Sequence, residues 1–268
     1  MISFARVRPS LYSILDFLML KFAATAIVFC LFVTPSLAQE TSANENQNGY
    51  EVDYAAAAKL QEALKRHDVR AVASLIQYPF GRERPLSDIK DSEEFAQDFD
   101  DYFDSANINR VLSAKAEQIG WRGIQLARGA VWFNNGKIVA MNLRTDAYAK
   151  KFSDAKRLEE RFLYPAVRGY DHIEFECDTR NLHVRTQYTG NDLQYFAWKK
   201  HAPLTSRPLL MLNSGKIDFQ GSGGNHSLTF RNGAYMYQLW VVEICGDDCN
   251  NYLDISKDSR TLSHQVCD

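Results

Sequence analysis

Two groups of residues in this chain could carry chemistry. The first is the run Gly221-Ser222-Gly223-Gly224-Asn225-His226, which sets a hydroxyl, a carboxamide and an imidazole on one glycine-rich loop. A serine near a histidine suggests a nucleophile with its base, and a glycine run suggests a phosphate cradle. The phosphate cradle fails because no Gly-Lys-Ser/Thr follows and no helix is opened whose amides could face an anion. The nucleophile fails because Gln220 stands where a G-x-S-x-G elbow needs its first glycine, and no third group is placed to orient the imidazole. What remains is a recognition loop with no catalytic residue. Its expected contacts are Ser222, Gly223, Asn225 and His226, with Tyr235 and Tyr237 as flanking aromatic anchors.

The second group is sulfur. Cys30 falls in a leader, leaving Cys177, Cys245, Cys249 and Cys267, all in the last hundred residues. An even number in an exported chain reads as two disulfides with three possible connectivities. Cys177–Cys267 with Cys245–Cys249 is preferred, because the second pair brackets only Gly-Asp-Asp and would pinch a hairpin end. The rival is a zinc site from Cys245-x3-Cys249 and His264-x2-Cys267. An oxidising compartment favours pairing, so no metal and no cofactor are expected.

Export is read from residues 1–38. Lys21 precedes the apolar run Phe22–Val33, and Pro35 and Ser36-Leu37-Ala38 make a cleavage site before Gln39. The run is shorter than the roughly 20 residues a spanning helix needs, so no integral membrane segment is expected after cleavage, and the location is periplasmic or secreted. Cleavage removes Arg6, Arg8, Lys21 and Asp16, moving the formal net charge from −2 to −4. A mildly acidic chain without a basic stripe argues against nucleic acid or an anionic membrane as partner.

The elements that must position these groups follow from periodicity. Residues 39–52 are polar and read as a flexible leader. Helices are expected from Asp53 (Ala57, Leu60, Leu64 on one face), after an Asp68 cap, and from Asp91 with Phe95, Phe99 and Phe103 at i, i+4, i+8. The acids along that third helix, Asp98 and Asp101 among them, read as a solvated face. Strands are expected over Ile124–Phe133 and Ile138–Leu143 about the turn Asn134-Asn135-Gly136, with Trp121, Trp132 and Phe133 in the core. An α+β domain over 53–144 results, with N-terminal helices packed on a curved antiparallel sheet. This order, with the segment His67–Phe80, resembles the cystatin-like cone of SnoaL-like proteins, and that resemblance implies a cone able to hold a ligand.

Residues 145–166 read as a linking helix with a basic face, ended by Pro165. The segment 167–268 is a succession of nine short strands separated by turn residues, expected to form a small antiparallel β-barrel with two disulfides. Glu174-Phe175-Glu176-Cys177 in its first strand, Val266-Cys267 in its last, and a central Ser-Gly loop leading to an aromatic strand with Trp240 resemble the bacterial C-type lysozyme inhibitors. Those are periplasmic or membrane-bound barrels whose Ser-Gly-x-x-Tyr loop enters the lysozyme cleft. The resemblance places that role on Ser222 and Gly223. It also puts His226 where the tyrosine belongs, and Val241-Val242-Glu243 where a Lys-Gly pair is expected.

Two functional classes follow. The first is an exported non-catalytic binding protein whose loop 221–226 engages a protein, a lysozyme for example, or an envelope glycan. The second makes the cone a small-molecule receptor or enzyme, with a pocket walled by Phe103, Trp121 and Trp132.

Overall fold

The computed structural model describes residues 40–221, 223–243 and 249–267, and for 40–49 the backbone alone. The expected leader peptide, 1–38, lies outside the described residues, as do Ser222 and Cys245. The architecture is mixed α and β, with three antiparallel sheets and five α-helices among the described residues. None of those helices is long and apolar enough to cross a membrane. Residues 43–268 form one compact unit.

Helix α1 (Glu40–Lys65) starts a dozen residues before the expected one, so the predicted flexible leader 39–52 is helical from Glu40. Its packed half supplies the reason. Ala56, Ala57, Leu60, Ala63 and Leu64 are buried, and once that turn is nucleated each further residue adds a hydrogen bond at little cost. Asp68 caps α2 (Val69–Ser74) by accepting from the Ala71 amide at 3.0 Å. The expected third helix is broken in three: α3 (Ser92–Gln97) capped by Asp91, a 3-10 turn Phe99–Asp101, and α4 (Ser105–Leu112) capped by Asp104. A second capping aspartate is the cause, since Asp104 accepts from the Asn107 amide at 2.7 Å and restarts the helix. Phe95, Phe99 and Phe103 still reach one core, in successive ring contacts.

The acidic face is solvated only in part: Glu93, Asp100 and Asp104 are exposed as expected, whereas Asp98 and Asp101 are paired. Asp98 lies 2.6 Å from both Arg82 Nη1 and Lys151 Nζ, and Asp101 lies 2.6 Å from the same lysine. Asp98 and Asp101 thus dock helix α5 (Asp146–Glu160), which Thr145 caps. Part of the basic face of the linking helix is consumed in the same way.

The first sheet runs β1 (Glu117–Gln118), β2 (Ile124–Leu126), β3 (Val131–Asn134), β4 (Lys137–Met141). The single strand expected over 124–133 is two, because Ala127, Arg128 and Gly129 all take positive φ and turn the chain back. Gly136 is required where it stands: a Cβ there would lie 2.6 Å from Val52, while its amide donates to the buried Asp53 carboxylate at 2.6 Å. Phe133 is buried as expected, but Trp121 is 58 % exposed on the short turn Gly120–Arg122.

All nine expected strands of 167–268 are present. β5 (His172–Asp178), β6 (Leu182–Thr189), β7 (Asp192–Lys199) and β8 (Leu210–Leu212) form one sheet. β9 (Lys216–Phe219), β10 (His226–Asn232), β11 (Tyr235–Val241), β12 (Asn251–Lys257) and β13 (Arg260–Cys267) form the other. Instead of one closed hydrogen-bonded barrel, two sheets enclose the core of Val184, Tyr195, Leu228, Phe230, Leu239 and Leu253. The short 213–215 turn joins β8 to β9 on one side, and the Cys177–Cys267 disulfide joins β5 to β13 on the other, with Cα atoms 4.9 Å apart. That bond removes Cys267 from any zinc site. His264, three residues away on a strand of period two, faces the opposite side and pairs with Asp254 at 2.6 Å. The Cys245–Cys249 pairing lies outside the described residues.

Three phenols tie the cores to high pH. Burial pushes Tyr102, Tyr170 and Tyr195 well above the ordinary tyrosine value of 10.0, with Glu159 adding to it at Tyr170. A value raised in the folded state means stability that is complete below about pH 10 and is lost as pH rises through the folded values. We expect tyrosinate absorbance at these positions to appear together with loss of near-UV circular dichroism above pH 10. Titration of all three in a protein that keeps its tertiary signal would contradict the burial.

Candidate functional site

The glycine-rich run is the tip of a β9–β10 hairpin. Phe219 pairs with His226, and the Gln220 amide donates to the Asn225 carbonyl at 2.7 Å, which closes the hairpin end, with Gly221 and Gly224 at positive φ. Its base is held from two directions. The Asn225 side-chain oxygen accepts from the Glu243 amide at 2.8 Å, and the carbons of the Glu243 side chain lie 3.4 Å from where a Cβ on Gly224 would sit. On the other side the buried His226 donates from Nδ1 to the Gly224 carbonyl at 2.8 Å, with its ring 5.4 Å from that of Phe219. Phe219 itself is 66 % exposed.

Behind the hairpin stands a carboxylate between two imidazoles. His226 Nε2 lies 3.4 Å from Glu174 Oε1, and His172 Nε2 lies 3.4 Å from Glu174 Oε2. Both separations are longer than an ideal hydrogen bond, and each is an ion pair only where its imidazole carries a proton on both nitrogens. His172 in turn stacks on Tyr188 at 4.7 Å. Burial first and Glu174 second raise the Tyr188 phenol. Glu174 reaches this position because β5 is bulged. Ile173 pairs with Gln187 and Phe175 with Thr186, leaving Glu174 as the extra residue, and a bulge re-aims a side chain.

Of the expected contacts, Gly223, Asn225 and His226 are together in the hairpin. Ser222 lies outside the described residues. Tyr235 and Tyr237 are not beside it. In the β10–β11 register Val241 faces His226, whereas Tyr235 faces Asn232, the far end of a seven-residue strand. Six residues at about 3.4 Å each put Tyr235 some 20 Å away along the strand. It lies near Lys257, whose ammonium is 5.3 Å from its ring, and Tyr237 packs against Tyr195 at 5.6 Å. Both serve the sheet.

Phe219, Glu174, His172 and Glu243 were not singled out as site residues. Phe219 was visible as the last residue before the loop. No sequence signal marks the bulge that turns Glu174. The alternative pocket of Phe103, Trp121 and Trp132 does not form: Phe103 is core, Trp121 is exposed, and Trp132 lies on the sheet face opposite to Val131 and Phe133. Among the described residues no group of three or more histidine, cysteine, aspartate or glutamate side chains is arranged to hold a metal ion.

Comparison with known protein families, with curated proteins and with solved structures finds no match to this chain.

Proposed function

We propose that this protein is an exported, non-catalytic binding protein that presents the 219–226 hairpin to a protein or envelope-glycan partner, with a lysozyme as the first candidate. The observation that supports it is the pinned base of the hairpin. Asn225 is tied to the Glu243 amide and His226 to the Gly224 carbonyl, so much of the ordering entropy that weakens loop-mediated binding is already lost before contact. The exposed Phe219 at the edge of a held loop supplies the apolar anchor that such contacts centre on.

The resemblance of the 167–268 segment to C-type lysozyme inhibitors points the hairpin at an enzyme cleft. A second bridge, Cys245–Cys249, belongs to this reading, and so does a periplasmic or secreted location. The Cys177–Cys267 bond is of the kind that persists in an oxidising compartment. Catalysis is not part of the proposal, because His226 Nδ1 donates to the Gly224 carbonyl and Nε2 faces Glu174, which leaves neither nitrogen directed at a hydroxyl of the loop.

The test is a turbidity assay of c-type lysozymes, together with retention on insoluble peptidoglycan. Inhibition at micromolar chain, or retention on the glycan, is expected, and Phe219→Ala should weaken either about tenfold, the loss of one buried aromatic contact. Lysozymes left fully active and no retention would overturn the reading.

A further inference from the structure

The β2–β3 turn that splits the expected strand holds an oddity. Ala127 and Arg128 sit at φ 54° and 57°, a region that few side-chain-bearing residues occupy and that is held only where the surroundings impose it. The turn walls a cavity of about 440 Å³, within the range of small-molecule sites, lined by Arg110, Ser113, Ala114, Lys115, Glu117, Ala127 and Arg128. Three cations and one carboxylate give the lining a formal charge of +2, in a chain whose formal net charge is −2. No ion pair neutralises Arg110, Lys115 or Arg128 among the described residues; Glu117 instead accepts from Gln125.

The walls are built. Arg110 donates from Nη2 to the Ala127 carbonyl at 3.0 Å, which ties it to the same turn that carries Arg128. From helix α1, the Gln61 amide donates to the Val111 and Ala114 carbonyls at 2.8 and 2.9 Å. Val111 lies in the last turn of α4 and Ala114 two residues past its end, so the Gln61 donor partly offsets the negative end of the helix beside the cavity.

We propose that this cavity binds a phosphomonoester dianion, with Arg110 and Arg128 gripping the phosphate oxygens and Lys115 completing the charge. Two guanidinium forks suit a tetrahedral oxyanion better than a single carboxylate, and the lining charge of +2 matches the dianion. The phosphate could belong to a soluble ester or to a lipid headgroup.

Titration calorimetry on the full chain with glycerol 3-phosphate and inorganic phosphate, and co-sedimentation with phosphatidic-acid vesicles against phosphatidylcholine vesicles, separates the sources. Saturable binding that weakens with added salt is expected in at least one arm. Arg128→Gly is the decisive variant: glycine tolerates positive φ, so its unfolding midpoint should hold or rise while binding falls about tenfold or more. Lys115→Gln should fall in the same direction without a change in midpoint. No binding in any arm at millimolar ligand, or binding that Arg128→Gly and Lys115→Gln leave unchanged, would overturn the proposal.

Discussion

Replacing Cys177 and Cys267 together by alanine is expected to lower the unfolding free energy by roughly 4–5 kcal/mol. That figure comes from the chain-entropy cost of a closed loop whose ends are 90 residues apart. It is a third or more of what a domain of this size usually has in total. The effect should be large here because the bond does what no hydrogen-bonded ladder does. It joins the outer strands β5 and β13 of two separate sheets. Urea unfolding of the double variant should show the reduced midpoint, and reductant, which would also open a Cys245–Cys249 bridge, should lower that of the unaltered chain at least as far. A loss below about 1 kcal/mol would mean that the shared core holds the two sheets together unaided. Because β5 also carries Glu174, the variant should loosen the hairpin base, seen as faster amide exchange at Asn225 and His226.

The strand-built half was the more legible part of the chain. Seven of its nine strands run over seven or eight residues between clear turn signals such as Gly190-Asn191 and Asn232-Gly233, and period two survives any tertiary context. The position of Tyr235 was legible too. It lies two residues past the Asn232-Gly233 turn, at the opposite end of the hairpin from residues 221–226, and counting along the strand separates them. What could not be read is the bulge at Glu174. One extra residue in an edge strand leaves composition and alternation almost unchanged, yet it decides which side chain faces His226.

The helical half was harder to read because its local signals compete. Asp98, Asp101 and Asp104 look alike in sequence. The structure uses the first two to hold Arg82 and Lys151, and the third to cap a new helix. Only the partner positions, tens of residues away, distinguish those roles. The same is true of Arg110, Lys115 and Arg128, which are spread over nineteen residues and share a cavity only because β2 turns back at Ala127.

Glu159→Gln is expected to destabilise the protein by about 3–5 kcal/mol, the cost of leaving a buried charge short of its partner. The Arg185 side chain is 0 % exposed, and Glu159 Oε1 lies 2.8 Å from its Nη1. Glu176 adds a contact at 3.2 Å, Gln187 accepts from Nε at 2.8 Å, and the Tyr170 ring lies 4.5 Å from the guanidinium carbon. Glu159 occupies the last turn of α5, where the helix dipole disfavours an acid. A locally unfavourable residue kept in such a place points to a tertiary demand, which here is the burial of Arg185 on the outer face of β6. The pair therefore fastens the linking helix to the β-sheets, and salt should screen it little. Glu176 alone would then face the arginine in Glu159→Gln, and the Tyr170 hydroxyl would lose the carboxylate it donates to. The triple variant Arg185→Met, Glu159→Gln, Glu176→Gln should recover most of the loss, because removing the whole charged group also removes its desolvation cost. Urea midpoints of the single and triple variants decide the matter. A single variant within about 1 kcal/mol of the unaltered chain would mean that Glu176 and Gln187 suffice to compensate Arg185.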